Sequence, residues 1–464
     1  MSFSKKSMVF LLFYMSVCTA FTQTAINKDI TLDEYRNLAL SNNLSILTAQ
    51  NDLEKSKQVR SGAFTHYFPK LNAIGGTVFP NIFGTAGAGF KTDVDMKKLL
   101  GVNFDLSYNT VNVDESVDFT DSVGGWLGTV TFTQTIFAGG RIFNSNKLAE
   151  KGVEAAVHKL QMVRNDVYAA AESKYYQFLL LHELVNTLNA YTDTLDAIYK
   201  QVSEALDNGV ASKSDFLRVS LKKEEVAIQQ EQMTQMLDIA GRDLKLFAGI
   251  KSDVRIVPKG EFETVKEPSF DAGRFPALLA SRPEFRLLTL QRDAAKLEEA
   301  ITFGSYLPSI EFGITFLKMD LWLNGKTFKN AKGYYYDFVG FLLFNIPITD
   351  WWEGYYKIKE QSLVLKSAAQ ELEINSEYLL LDMRNKFVSY QTAFKQVKLA
   401  EIGLKYAKNN VMEYGDRYRA GLSVLGEYLE ALAFEYENAT KLDKAKMDYF
   451  MARTAFYTAV GEAK

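Results

Sequence analysis

The chain has 464 residues, near-balanced charge (53 Lys and Arg against 56 Asp and Glu) and 13% aromatic residues, with a mean hydropathy of −0.12. Past the N-terminus no run approaches the ~20 apolar residues of a spanning helix, which excludes a polytopic helical transporter, and the charge balance leaves no basic footprint for nucleic acid. Only 8 prolines occur, none between residues 81 and 257 or after Pro347, so very long uninterrupted helices are allowed.

Lys5 and Lys6 precede an apolar run from Met8 to Val17 and the small residues Thr19 and Ala20. A basic segment, a short apolar core and a small-residue site predict a secretory signal peptide over residues 1–20. Cys18, the single cysteine, either leaves with that leader or is the lipidated first residue of the mature chain. An exported chain without disulfide chemistry fits a Gram-negative periplasm or outer membrane.

From there the chain reads as a duplication. Tyr67-Phe-Pro69-Lys-Leu71 recurs as Tyr306-Leu-Pro308-Ser-Ile310. Gln134-Thr-Ile-Phe137-Ala-Gly139-Gly140-Arg141 is echoed around Pro347-Ile348, and Asn208-Gly209-Val-Ala-Ser212 by Ala420-Gly421-Leu-Ser423. Phe137 lies 72 residues before Gly209, and Ile348 lies 73 before Gly421; the first half carries about 28 extra residues before Phe137. The predicted organisation is a first repeat over 21–249, with strands within 70–137 and a helical hairpin over 142–249. A Pro-rich irregular connector follows over 250–283. The second repeat spans 284–464, with strands over 309–348 and a hairpin over 354–462.

The strand segments alternate. Val102, Phe104, Leu106 and Tyr108 are interleaved with polar residues; Trp126, Val130, Phe132 and Ile136 share one parity against Thr129, Thr131 and Thr133. Ile310, Phe312, Ile314 and Phe316 do the same, while 334–348 is apolar on both parities. Such segments are the weak signature of barrel strands, although a soluble sandwich edge shares it. Either 72–80 or 100–109 serves as the first membrane strand. Gly84 to Thr92 nearly copies a phosphate loop, but Phe90 separates Gly89 from Lys91 and no strand–loop–helix unit frames it; a glycine-rich loop is expected.

The long helices carry heptad seams: Leu181, Leu184, Leu188, Tyr191, Leu195, Ile198, Val202 and Ala205, then Leu380, Met383, Phe387, Tyr390, Phe394, Val397, Glu401 and Leu404. A helix from 145 to 206 would run roughly 93 Å, about twice a bilayer's thickness. Gly209 and Gly421 mark the two turns. Ser212 with Asp215 predicts a capping box; at the second turn Gly426 replaces the acid.

Four strands cannot close a barrel, and an open sheet leaves unpaired backbone in hydrocarbon, so a spanning chain has to oligomerise. Three copies give twelve strands, the smallest multiple that leaves a lumen. The fold class is therefore mainly α with a membrane β-barrel portion: duplicated antiparallel coiled-coil hairpins plus four strands per chain.

Over essentially the whole mature length the sequence resembles the TolC family of outer-membrane efflux proteins. The resemblance is carried by Leu32-Asp33-Glu34-Tyr35 with Ala39 to Asn43, the Phe-Pro and Leu-Pro turns, Gln134 to Arg141, Arg282-Pro283-Glu284 and Tyr418-Arg-Ala-Gly421. It implies a homotrimer with a 12-stranded barrel in outer-membrane lipid and a helical tunnel in the periplasm. It also implies a duct working with a periplasmic adaptor (membrane fusion) protein and an inner-membrane RND- or ABC-type pump, in tripartite efflux or type I secretion. By the same resemblance Tyr418, Glu427 and Glu430 form a periplasmic gate. Gly209, Ser212, Asp215, Gly421 and Ser423 mark the hairpin tips that meet the adaptor. Acids on an ordinary solvated helix start are the plainer reading of Glu427 and Glu430, and Asp215 reads as a cap; Arg218 stands where the second acid would fall.

No enzyme is expected. His66, His158 and His182 have no metal-ligand spacing, no nucleophile elbow occurs, and no cofactor or nucleic-acid partner is implied. The alternative is an exported structural or adhesive coiled-coil protein without a lumen.

Overall fold

A computed structural model describes residues 27–78, 123–250, 255–259, 262–323, 326–327 and 334–462. The leader with Cys18, the Gly84–Thr92 loop and the Val102–Tyr108 alternation lie outside these residues. The chain divides into two compact units, one made of 1–57, 151–293 and 366–464 and the other of 58–150 and 294–365. Each repeat thus contributes to both units. No helix among the described residues is long and apolar enough to cross a membrane.

The second unit is built on an antiparallel sheet. Strands β2 (Lys70–Val78), β3 (Val123–Ala138), β5 (Ser309–Leu323) and β7 (Tyr334–Asn345) lie in the order β2-β3-β5-β7, with a two-residue β6 (Lys326–Thr327) beside the end of β5. Of the two candidates for the first strand, the segment beginning near residue 70 is the one that pairs with β3.

Register sorts the residues by face, because directly opposed residues share one. Leu71, Phe132 and Ile314 form one cross-strand row, and Val130, Phe316 and Phe338 another; the Phe316 and Phe338 rings lie 5.0 Å apart. The other face carries Asn72, Thr131 and Thr315 in a row, with the two threonine hydroxyls 3.1 Å apart. Toward one end of the apolar face the Lys318 ammonium sits 5.0 Å from the Trp126 ring. The sheet therefore has an apolar face and a threonine-rich face. β7 is apolar on both parities, yet its pairing with β5 assigns Phe338, Leu342 and Phe344 to the apolar face. The outer edges of β2 and β7 have no ladder partner among the described residues.

The first unit is helical. α1 (Leu32–Asn42) starts with a full capping box, in which the Thr31 hydroxyl accepts from Glu34 N and Glu34 Oε2 accepts from Thr31 N at 3.0 Å. α2 (Leu44–Phe64) follows at once. α3 (Arg141–Asp207, 67 residues) and α4 (Lys213–Phe247) make the first hairpin; α7 (Trp351–Arg419, 69 residues) and α8 (Leu425–Val460) make the second. α5 (Phe275–Leu279) and α6 (Pro283–Ser305) lead into the second repeat. The connector is less irregular than its prolines suggest. Its residues Arg255–Pro258 form β4, paired in parallel with β1 (Asn27–Ile30). A four-residue strand ending in proline gives no periodicity to read.

Tyrosines fill the core of this unit and send their hydroxyls to backbone carbonyls, as buried phenols require. Tyr35 donates to Leu244 O at 3.2 Å, Tyr175 to Ile30 O at 3.1 Å and Tyr449 to Lys266 O at 2.6 Å. The Tyr176 and Phe450 rings stack at 4.9 Å. Burial pushes the Tyr175 phenol up to about 12. Within the same core Glu172, 2% exposed, accepts from the Arg36 guanidinium and the Thr454 hydroxyl.

Candidate functional site

The predicted seam residues lead to the tips. Leu188, Tyr191, Leu195, Ile198 and Val202 of α3 are buried with Val219 and Val226 of α4 and Leu425, Leu429 and Leu432 of α8. One apolar cluster thus joins both hairpins where their turns lie. Glu401, the polar break in the second seam, faces solvent, whereas Met383, Tyr390 and Val397 are buried.

The two turns are built alike. Gly209 has φ 71° and Gly421 φ 73°, the left-handed conformation that only glycine takes without strain. Gly209 N donates to Leu206 O at 2.9 Å and Val210 N to Ala205 O at 2.8 Å; Gly421 N donates to Tyr418 O at 3.0 Å and Leu422 N to Arg417 O at 2.8 Å. These paired bonds satisfy the last carbonyls of α3 and α7.

The caps differ. Ser212 is the N-cap of α4, and its Oγ accepts from Asp215 N at 3.0 Å. The Asp215 carboxylate takes the Ser212 hydroxyl at 2.6 Å in place of the backbone N–H of a reciprocal box, so one arm of the predicted box forms. In the second hairpin the N-cap is Val424, with no side-chain bond. Ser423, one residue earlier, donates its hydroxyl to the Glu427 carboxylate.

Tyr418 is half-buried and its ring stacks on Tyr428 at 5.9 Å and 22°. Burial raises its phenol above the ordinary tyrosine value, and the nearby Asp215 carboxylate adds to the rise. Asp215 of the first hairpin thus bears electrostatically on Tyr418 of the second. Glu427 and Glu430 stand exposed on one face of the start of α8. Among the described residues neither has an ion-pair partner, whereas Glu413 and Asp416 before the turn pair with Arg417 and Arg419. The arrangement offers carboxylates at a turn and no catalytic constellation; no group of three His, Cys, Asp or Glu among the described residues is placed to hold a metal.

One contact escaped the sequence. The Arg218 guanidinium of α4 lies on Gly426 of α8, occupying the space a side chain would need there. Both positions depart from the pattern of the repeat, but nothing in the linear sequence says that they meet.

A family model described as "Outer membrane efflux protein" matches residues 96–249. "Toxin and drug export protein A" of Aggregatibacter actinomycetemcomitans is 20% identical over 339 residues, covering 72% of each chain. Among solved structures, the Campylobacter jejuni CmeC outer membrane channel matches with a TM-score of 0.75 at 16% identity, over 93% of this chain and 86% of that one. The outer-membrane channel OprN matches with a TM-score of 0.73 at 15% identity, over 93% and 90%.

Proposed function

We infer that this chain, which shares the fold of the TolC family of outer-membrane efflux proteins, is an efflux or export duct of the outer membrane. The sheet carries this reading. An apolar face suits lipid, a threonine-rich face suits water, and two unpaired edges cannot be left in hydrocarbon. Edge β7 of one copy joined to edge β2 of the next closes twelve strands from three copies, enough for a lumen. A soluble sandwich would need a second sheet over the apolar face, and the other sheet among the described residues, β1 with β4, has only two short strands.

The helical hairpins then extend into the periplasm, and their tips face an adaptor and an inner-membrane pump of the RND or ABC type. The chain is a passive conduit; the partner supplies the energy. At the mouth, three copies of Glu427 and Glu430 form acidic rings that attract cations and repel anions, while Tyr418 with Asp215 links the second hairpin to the first. The export of toxins and drugs named for the Aggregatibacter relative supports a duct that tolerates many cargoes.

Purified protein added to planar lipid bilayers tests the reading. Trimers that open single, cation-preferring channels support it. A protein that stays monomeric and soluble without detergent overturns it, in favour of an exported coiled-coil protein.

A further inference from the structure

Two irregularities of the duplicated sequence meet in space. Nine residues after the tip glycine the second repeat has Glu430, and the first has Arg218. Three residues after the turn serine the first repeat has Asp215, and the second has Gly426. Each looks like a defect on its own. Gly426 stands where the first repeat has Asp215 and places the least helix-favouring ordinary residue in the first turn of α8. Arg218 brings a cation to a helix N-terminus, where the dipole disfavours it.

The structure explains both at once. A Cβ on Gly426 would collide with Arg218 Nη1 and lie 3.4 Å from its Cζ. Gly426 is buried while Arg218 remains exposed, so the guanidinium lies over the glycine backbone and covers it. Among the described residues Arg218 has no carboxylate within ion-pair distance. The seat is therefore one of shape, made by the missing side chain. Asp215, one turn earlier on the same face of α4, is the residue that acts on Tyr418. Beside the apolar cluster that joins the hairpins, Arg218 is the charged side chain of the first hairpin whose seat on the second depends on a glycine.

We propose that Arg218 is a positioning residue of the mouth: seated on Gly426, it clasps the first hairpin tip to the second in the closed state. The clasp rests on the reading of these tips as a gated mouth. It is weak by construction, because the guanidinium has no charge partner and sits against the positive end of α8. Such a contact holds the tips together at rest and releases when an adaptor pulls the hairpins apart. Its charge also sits one residue from Glu427, which reduces the field of the acidic ring.

Gly426→Ala separates this role from a structural one. The substitution ejects a flexible side-chain end and gives α8 a better helix former, so thermal stability is expected to hold or rise. Closed-state conductance in planar bilayers is expected to increase several-fold. Amide exchange in residues 208–216 and 420–428 is expected to rise about tenfold, since tip opening becomes easier. Arg218→Gln is expected to do the same, and the double variant no more than either single one. Wild-type exchange at the tips in both single variants overturns the clasp, as does an additive double variant. Should the wild type open no channel, the conduit reading fails, and the exchange measurement still decides whether Arg218 and Gly426 hold the tips together.

Discussion

Gly139 and Gly304 pack backbone against backbone: a Cβ on either one would run into the carbonyl oxygen of the other. Gly139 follows β3 with φ 60°, and Gly304 lies in the last turn of α6, so the contact fixes the exit of one strand against the approach to the next. Leu307 Cβ closes the remaining side, 2.9 Å from a Cβ on Gly139. Gly304→Ala is expected to cost about 1–3 kcal/mol by overpacking. Gly139→Ala is expected to cost more, because the left-handed backbone adds roughly 1–2 kcal/mol. Thermal unfolding followed by circular dichroism checks this, and two variants that melt with the wild type would refute it.

Arg36 and Glu172 give an asymmetric prediction. Arg36 also reaches Asp33 at 2.6 Å, whereas Glu172 is held by Arg36 and by hydroxyls, deep in the core. Removing one partner of a buried pair costs about 3–5 kcal/mol. Arg36→Ala leaves a buried carboxylate without its ion-pair partner and is expected to lie at the upper end; Glu172→Ala leaves Arg36 with Asp33 and is expected to lie at the lower end. Denaturation midpoints of the two variants would reveal the order, and equal losses would show that Asp33 contributes nothing.

How much of this was legible follows from what each feature needs. The tip glycines and Ser212 act through residues within four positions, so the sequence suffices to place them. The α3 seam is legible from spacing because a heptad stripe marks a buried face whichever helix covers it, but that it packs on α8 of the other hairpin as well as on α4 is not. The alternation in β3 and β5 named their apolar face, but β7 was ambiguous until pairing set its register. Glu172 gave no signal: an acid in a heptad helix reads as solvated, and its burial depends on Arg36, 136 residues away. Arg218 and Gly426 were visible as departures from the repeat, yet only the packing of two hairpins joins them.

The buried phenols predict alkaline weakening. Burial lifts Tyr168, Tyr175 and Tyr191 from 10.0 to about 12, and lifts Tyr35, Tyr176 and Tyr390 further in the same direction. A folded-state value above the unfolded one means that the folded chain keeps protons the unfolded chain has lost. Their contribution is therefore complete below pH 10 and is lost as pH rises through about 12. Melting temperature should fall across that window, with phenolate absorbance lagging free tyrosine and catching up on unfolding. Phenolate formation at the free-tyrosine value in the folded protein would contradict the burial of these rings.

The helix cap of the first tip can be tested alone. Ser212→Ala removes the oxygen that accepts from Asp215 N, worth about 1 kcal/mol. Exchange at the start of α4 should rise by about fivefold and leave the start of α8 unchanged. A rise at both tips would mean that the cap supports the whole mouth.

The acids separate a gate from a decorated helix start. On a solvated helix start, Glu427 and Glu430 contribute a few tenths of a kcal/mol through the dipole, and their removal would change stability slightly and conductance not at all. In a three-fold ring the same charges set the field of a narrow opening, and their removal changes conduction with little effect on stability. Glu427→Ala with Glu430→Ala is therefore expected to raise resting conductance or weaken cation block, and to lower the preference for cations over anions. Glu427 also holds the Ser423 hydroxyl, so Ser423→Ala serves as the control for loss of that bond alone. If Ser423→Ala reproduces the double variant, the effect is local to the turn. If only the double variant leaks, the effect lies in charge, and the acids belong to the mouth. Conductance and block equal to wild type in the double variant would return Glu427 and Glu430 to the solvated surface.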